Sequence, residues 1–244
     1  MSAPVHPFAP DMENMDPGHH LIHETYVTCE TLDAELEHWM QAVAPYQWRT
    51  PDPLLRDQAA LLVVDMTQPF VDDASRPLYT ANARAILPRV ANLADAFRSA
   101  GRPVLWIVQG HHSVEHDRGP RLSAWWPTPL IEGTNDVQMA NGLSVAPGEK
   151  IIVKRRYSGF HQTDLECTLR CLAVTHTVVC GVFTHVCPML TAFDAFMRDF
   201  AVYYVADATA SLNRSLHLSA LQSVAGWCGR VVRAREVVER LAST

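Results

Sequence analysis

The chain has no apolar run of 18 residues, no CxxC pair and no excess of basic side chains. Without the first, no segment is long enough to cross a bilayer as a helix. The N-terminus lacks the basic region and apolar stretch of a secretory leader, so the chain reads as cytoplasmic. Six cysteines, at 29, 167, 171, 180, 187 and 228, form no secreted framework, which points to reduced thiols. Cys167 and Cys171 stand one helical turn apart and suit a packed helix face. A formal net charge of -6 offers no field to attract phosphate backbones or anionic lipid. The expected partner is a small molecule, with no nucleic acid and no membrane.

What is present is a regular alternation of short apolar strands and amphipathic helices. At 244 residues the chain suits one large α/β domain with an N-terminal extension. Residues 1–24, rich in proline, histidine and methionine, read as a loosely ordered arm that carries little chemistry. Residues 31–44 place Leu32, Leu36, Trp39, Met40 and Val43 at helical spacing behind Thr31, a candidate N-cap. This helix is expected to pack on a neighbouring subunit or over a pocket. Residues 46–57, with Pro51 and Pro53, form a linker. The extension therefore covers residues 1–57 and the main domain residues 58–244.

Strands are expected at residues 59–64, 103–108, 150–153, 177–182, 202–206 and 230–233. Helices are expected at 82–100, from about 164, after 187, at 216–227 and at 235–241. The segment TDLE gives the second of these a capping box of Thr163 and Glu166. Such alternation implies a mostly parallel sheet covered on both faces, in which ligands bind beyond the carboxyl ends of the strands. Asp65 ends the first strand, Gln109 and His111 follow the second, Lys154 ends the third and Cys187 follows the fourth.

Four polar or reactive groups thus meet on one rim. An aspartate closing the apolar run LLVVDM is costly unless it is paired or functional. Beside a thiol it can serve as general base, and a lysine ending IIV can stabilise both anions. Pro188 suits a helix start, which puts Cys187 at or beside the N-cap, where orphan N–H groups and the helix dipole favour a thiolate.

The segments LLVVDMTQPF, PLIEGTNDVQMANGLSVAPGEK, IIVKRRYSGFHQTDLECTLR and VVCGVFTHVCPMLTAFDAFMRDFAVYYVADAT, in this order, resemble the isochorismatase-like cysteine hydrolases over residues 57–242. The resemblance implies a three-layer αβα sandwich with a six-stranded parallel sheet of order 3-2-1-4-5-6. It implies Asp65, Lys154 and Cys187 as a catalytic triad, backbone N–H groups of Phe183 and Cys187 as an oxyanion hole, and a cis peptide at Val182-Phe183. It also implies a homodimer or homotetramer. The KxRYSGF pattern is closest to ureidoacrylate and carbamoyl-type amidohydrolases, so the expected reaction is C–N hydrolysis through a thioester, with no cofactor. A vinyl ether hydrolase of the isochorismatase type and a non-catalytic binding module are the alternatives.

Phe70, Gln109, Trp125, Tyr157, Phe160 and His185 are the candidate substrate contacts. Trp125 and Trp126 suit either an aromatic lid or a subunit contact, and His185 either the pocket or its own turn. DMTQPF departs from the common DMQNDF, which leaves the substrate open. Nicotinamidases of this family bind a metal through an Asp-x-His pair after the second strand. Here the Asp position is Gln109, a poor ligand, so no metal is expected, although His111, His112 and His116 could still form a site if that stretch were helical.

Overall fold

The apolar runs that end in Asp65, Gln109, Lys154 and Phe183 lie side by side as parallel strands. This is seen in a computed structural model that describes residues 22–49, 53–112, 117–126 and 128–243. The strands are β1 (Ala59–Val64), β2 (Val104–Gln109), β3 (Lys150–Lys154), β4 (His176–Val182), β5 (Ala201–Ala210) and β6 (Arg230–Val232). They form one six-stranded sheet of order β3-β2-β1-β4-β5-β6, with every pairing parallel. The helices are α1 (Leu32–Val43), α2 (Gln68–Val71), α3 (Ala81–Ser99), α4 (Pro120–Trp125), α5 (Leu165–Cys171), α6 (Cys187–Phe196), α7 (Arg214–Trp227) and α8 (Ala234–Ala242). Right-handed crossovers put α3 on one face, where α8 packs against it, and α5, α6 and α7 on the other. The expected α/β sandwich with an N-terminal helix is therefore present.

Every residue of β1 and β4 is buried, as their uninterrupted apolar, β-branched runs require of central parallel strands. Register then lines up the reactive ends: Val64 pairs with Ile107 and Gly181, and Gln109 pairs with Lys154. Gly181 is obligatory at this crossing. Its φ is +115°, and a Cβ there would lie 1.9 Å from the Val64 carbonyl oxygen. The next residue of the first strand, Asp65, also leaves the sheet in the left-handed region, with φ of +54°.

Several local features differ from the sequence pattern. Strand β5 runs on to Ala210 through a register shift opposite Val179 and Gly181. The Thr31 hydroxyl accepts the Thr28 N–H at 2.9 Å instead of capping α1. No capping box closes α5: Thr163 Oγ1 accepts the Leu165 N–H, but Glu166 turns away to Arg198 at 3.0 Å. Cys167 and Cys171 on that helix are exposed, not packed.

Pro88 lies inside α3 and cannot bond the Arg84 carbonyl; the Cys29 thiol approaches that oxygen at 3.9 Å. The expected arm falls mostly outside the described residues, which begin at 22. Its end is docked rather than loose, with the Ile22 carbonyl accepting Asn213 Nδ2 at 3.0 Å. Helix α1 buries Leu32, Leu36, Trp39 and Val43 in the same core as the sheet, against α7 and β5 of its own chain. Among the described residues no helix is long and apolar enough to cross a membrane.

Candidate active site

Asp65, Lys154 and Cys187 meet at the carboxyl ends of β1, β3 and β4. Asp65 and Lys154 are completely buried, and their Oδ2 and Nζ atoms are 2.8 Å apart. Lys154 Nζ also donates to Gln109 Oε1 at 2.8 Å and lies 3.4 Å from Cys187 Sγ. The second Asp65 oxygen accepts the Gln109 N–H at 2.7 Å. Burial lowers the pKa of Lys154, but the carboxylate and the sulfur beside it outweigh burial and hold it above the usual lysine range.

Cys187 opens α6, with Pro188 second rather than first in the helix. Its electrostatics reverse one expectation. Burial, and then the neighbouring Asp65 carboxylate, push the thiol pKa well up, and Lys154 offsets only part of this. Burial and the adjacent carboxylate thus favour the thiol form, against the direction expected from the helix start. A thiol held this way needs a base at the moment of attack, and Asp65 is in place to be one. The peptide Val182-Phe183 is cis, as the resemblance implies.

A cleft of about 530 Å³, counting its open mouth, rises from the thiol. Phe70, Phe183, Leu122, Leu130 and Val186 supply apolar wall, with Phe70 and Phe183 edge to face at 5.5 Å. Gln109 and Tyr157 line it as expected. Three other expected contacts do not. Trp125 is 76% exposed and points outward, whereas Trp126 faces the cleft and donates Nε1–H to Tyr157 Oη at 2.7 Å. Phe160 is packed under the sheet against Phe200 at 6.0 Å. His185 lies behind Phe183, with Nδ1 2.6 Å from Ser211 Oγ.

Arg118 is the wall residue that the sequence pattern does not single out. It is 2% exposed and lines the cleft. Burial lowers its pKa, yet a guanidinium stays charged at neutral pH. Its neighbour Asp117 is anchored by Arg155 Nε at 2.9 Å and by the His112 N–H at 2.7 Å, which fixes the start of this segment.

His111 is buried on the same wall, where burial lowers its pKa to about 4. Gln109 Nε2–H donates to its Nε2 at 2.9 Å, so the ring proton belongs on Nδ1, which faces Asp117 at 3.4 Å. His112 turns to Glu132, and His116 lies outside the described residues. Among the described residues no three His, Cys, Asp or Glu side chains converge as a metal site.

The isochorismatase domain model matches residues 59–236. The chain belongs to the isochorismatase family of hydrolases. Within the isochorismatase family it is 33% identical over 183 residues to enterobactin synthase component B of Escherichia coli K12. That alignment takes in 74% of this chain and 62% of the relative, so the chain spans less than two thirds of that protein. It is 34% identical over 184 residues to nicotinamidase 3 of Arabidopsis thaliana, covering 74% of this chain and 86% of the relative. The crystal structure of a cysteine hydrolase from Pseudomonas syringae pv. phaseolicola superposes with a TM-score of 0.75 at 27% identity, over 78% of this chain and 95% of that one. Isochorismatase-family relatives at about this similarity divide between amidases and isochorismatases.

Proposed function

We propose that the protein is a cysteine-dependent amidohydrolase that cleaves a C–N bond of a small amide, ureido or carbamoyl compound. The observation that carries this reading is a cysteine sulfur 3.4 Å from a buried ammonium that is itself 2.8 Å from a buried carboxylate, at the floor of a cleft. In the proposed cycle Cys187 Sγ attacks the carbonyl carbon while its proton passes to Asp65. The carbonyl π electrons move to oxygen, which the N–H groups of Phe183 and Cys187 receive; the Cys187 N–H is one of the helix-start donors without an intrahelical acceptor. Collapse expels the amine, which takes its proton from Asp65. Water then adds to the thioester, giving up its proton to Asp65; the C–S bond breaks, the acid leaves, and Cys187 Sγ takes the proton back from Asp65. Lys154, with Nζ 2.8 Å from Oδ2, keeps the Asp65 carboxyl group in place throughout.

Arg118 brings a guanidinium to a largely apolar cleft wall, which on this reading favours substrates that carry an acid group. Tyr157 and Trp126, joined by their hydrogen bond, form the flat aromatic wall that such a molecule would lie against. Similarity to nicotinamidase 3 supports the amidase assignment.

One observation favours a second reading. Relatives at this similarity include isochorismatases, and in that reading Asp65 enters carrying a proton, gives it to a vinyl ether, and recovers one from the water that adds to the resulting cation, with no bond formed to Cys187. A single experiment separates the two. Screening ureido, carbamoyl and amide acids for amine release, with vinyl ether acids alongside, is repeated with Cys187→Ala. The thioester reading expects amine release that the variant abolishes. Full turnover by Cys187→Ala would replace it with the ether reading.

A further inference from the structure

Residues 22–43 lie outside the matched family region, and nothing from them lines the cleft. Their contacts nevertheless converge on the turn between the cis peptide and Cys187. Thr184, in the middle of that turn, has all its polar groups held from outside it. Its N–H donates to the Ala210 carbonyl at 2.8 Å, its carbonyl accepts the Tyr204 hydroxyl at 2.6 Å, and its Oγ1 is 2.8 Å from His217 Nδ1. His217, on α7, is fully buried among rings of the extension. Trp39 of α1 meets it edge-on at 4.3 Å, and Tyr26 lies 5.5 Å away.

The next residue of the turn is held by a second route. His185 bonds Ser211, whose N–H donates to the Tyr26 hydroxyl at 3.0 Å. Asn82 locks the same junction. Its Oδ1 accepts the Tyr26 N–H at 3.0 Å, and its Nδ2 donates to the carbonyls of Glu24 and Ser211 at 2.8 and 3.1 Å. His185 in turn stacks on Phe183, a wall of the cleft. Tyr26 thus meets both His217 and the Ser211 backbone, Trp39 meets His217, and the turn they hold carries Phe183 and Cys187.

We infer that residues 22–43 are a strut that positions the 183–187 turn, with Tyr26, His217 and Thr184 as positioning residues; this rests on the hydrolysis reading above. A strut of this kind acts on the reacting geometry and not on substrate affinity. A small displacement remote from the chemistry can cost about 100-fold in rate. The structural alternative is that the extension merely adds core, in which case any loss of its packing would act through global stability alone.

The test compares Tyr26→Phe, Thr184→Val and Thr184→Ser with Leu36→Ala, a cavity on the buried face of α1. Each full-length variant is assayed on an active compound from the screen, melted thermally, and followed by amide hydrogen exchange. Thr184→Val is expected to lower kcat by about tenfold or more with KM unchanged. Exchange in the peptide spanning 183–187 should rise while that of β1 does not, and Thr184→Ser should restore both. Tyr26→Phe should act in the same direction through Ser211. Leu36→Ala should lower the melting temperature and leave kcat alone.

Full kcat and native exchange in Thr184→Val and Tyr26→Phe would overturn the strut, as would a kcat loss in Leu36→Ala that tracks its melting temperature equally. If Cys187→Ala keeps full turnover, the nucleophile assignment fails, while local exchange in the turn still decides whether the strut exists.

Discussion

Replacing Lys154 by methionine isolates the energetics at the centre of the site. Lys154 and Asp65 are wholly buried with their charges 2.8 Å apart. At an effective dielectric of about 20, Coulomb's law gives about 6 kcal/mol for such a pair. Desolvation of the two ions opposes most of that, so the intact pair contributes little net stability. Lys154→Met is different in kind, because it leaves the Asp65 carboxylate in the interior with only the Gln109 N–H and the Cys187 thiol as partners.

The expected loss is about 3–5 kcal/mol. Asp65→Asn alone should cost a comparable amount by stranding the ammonium. The double variant Asp65→Asn/Lys154→Met, carrying neither charge, should recover to within about 1–2 kcal/mol of the parent. Urea denaturation at pH 7 of the four proteins measures this as a coupling energy, with unchanged slopes confirming that the folded and unfolded states stay comparable. Single losses that simply add in the double variant would refute the paired-ion picture of the site.

Three further outcomes follow from the geometry. Arg118→Met should raise KM for acid-bearing substrates by roughly 10–100-fold, the worth of a charge-assisted hydrogen bond, with less effect on neutral analogues; equal effects on both would remove Arg118 from recognition. Gly181→Ala should fail to yield soluble folded protein, because its Cβ would sit 1.9 Å from the Val64 oxygen at positive φ, whereas Gly226→Ala, with open space around it, should express normally. His217 has a folded pKa of about 3 against 6.5 for the free group, so it stays neutral when folded and takes up a proton on unfolding. Its contribution is complete above pH 6.5 and lost as pH falls toward 3, at about 1.4 kcal/mol per pH unit. Stability against pH for His217→Asn should therefore be flatter between pH 6.5 and 4 than for the parent, and parallel curves would contradict this.

The parts of the site visible in the sequence are those that end buried strands. Asp65, Lys154 and Cys187 each follow an apolar run, and parallel register brings such ends together without long-range information. What one sequence does not settle is rotation and competition. Trp125 ends α4 and Trp126 follows it in extended backbone, so the two adjacent rings point apart and hydrophobicity alone cannot choose the inward one. Phe160 and Tyr157 share a loop after β3, and only packing against Phe200 sends the first to the core.

The Cys187 thiol was legible as a position but not as a charge state, because the helix-start field competes with burial and with Asp65, and neither strength can be read from spacing. Arg118 lies in an aperiodic connection, and its only local signal is an arginine set immediately before the Gly-Pro start of α4. The purpose of residues 22–43 is likewise carried by tertiary contacts: Tyr26 reaches Ser211, 185 positions away in sequence.

The central claim is that Cys187 forms a covalent thioester with Asp65 as its base. Its most direct test is intact-protein mass spectrometry on samples acid-quenched during turnover of an amide or ureido acid, followed by peptide mapping. The expected result is a mass increase equal to the acyl fragment without its amine, located on Cys187 and absent from Cys187→Ala and Asp65→Asn. Turnover at full rate with no adduct on Cys187, and none of the rate lost in Cys187→Ala, would contradict it.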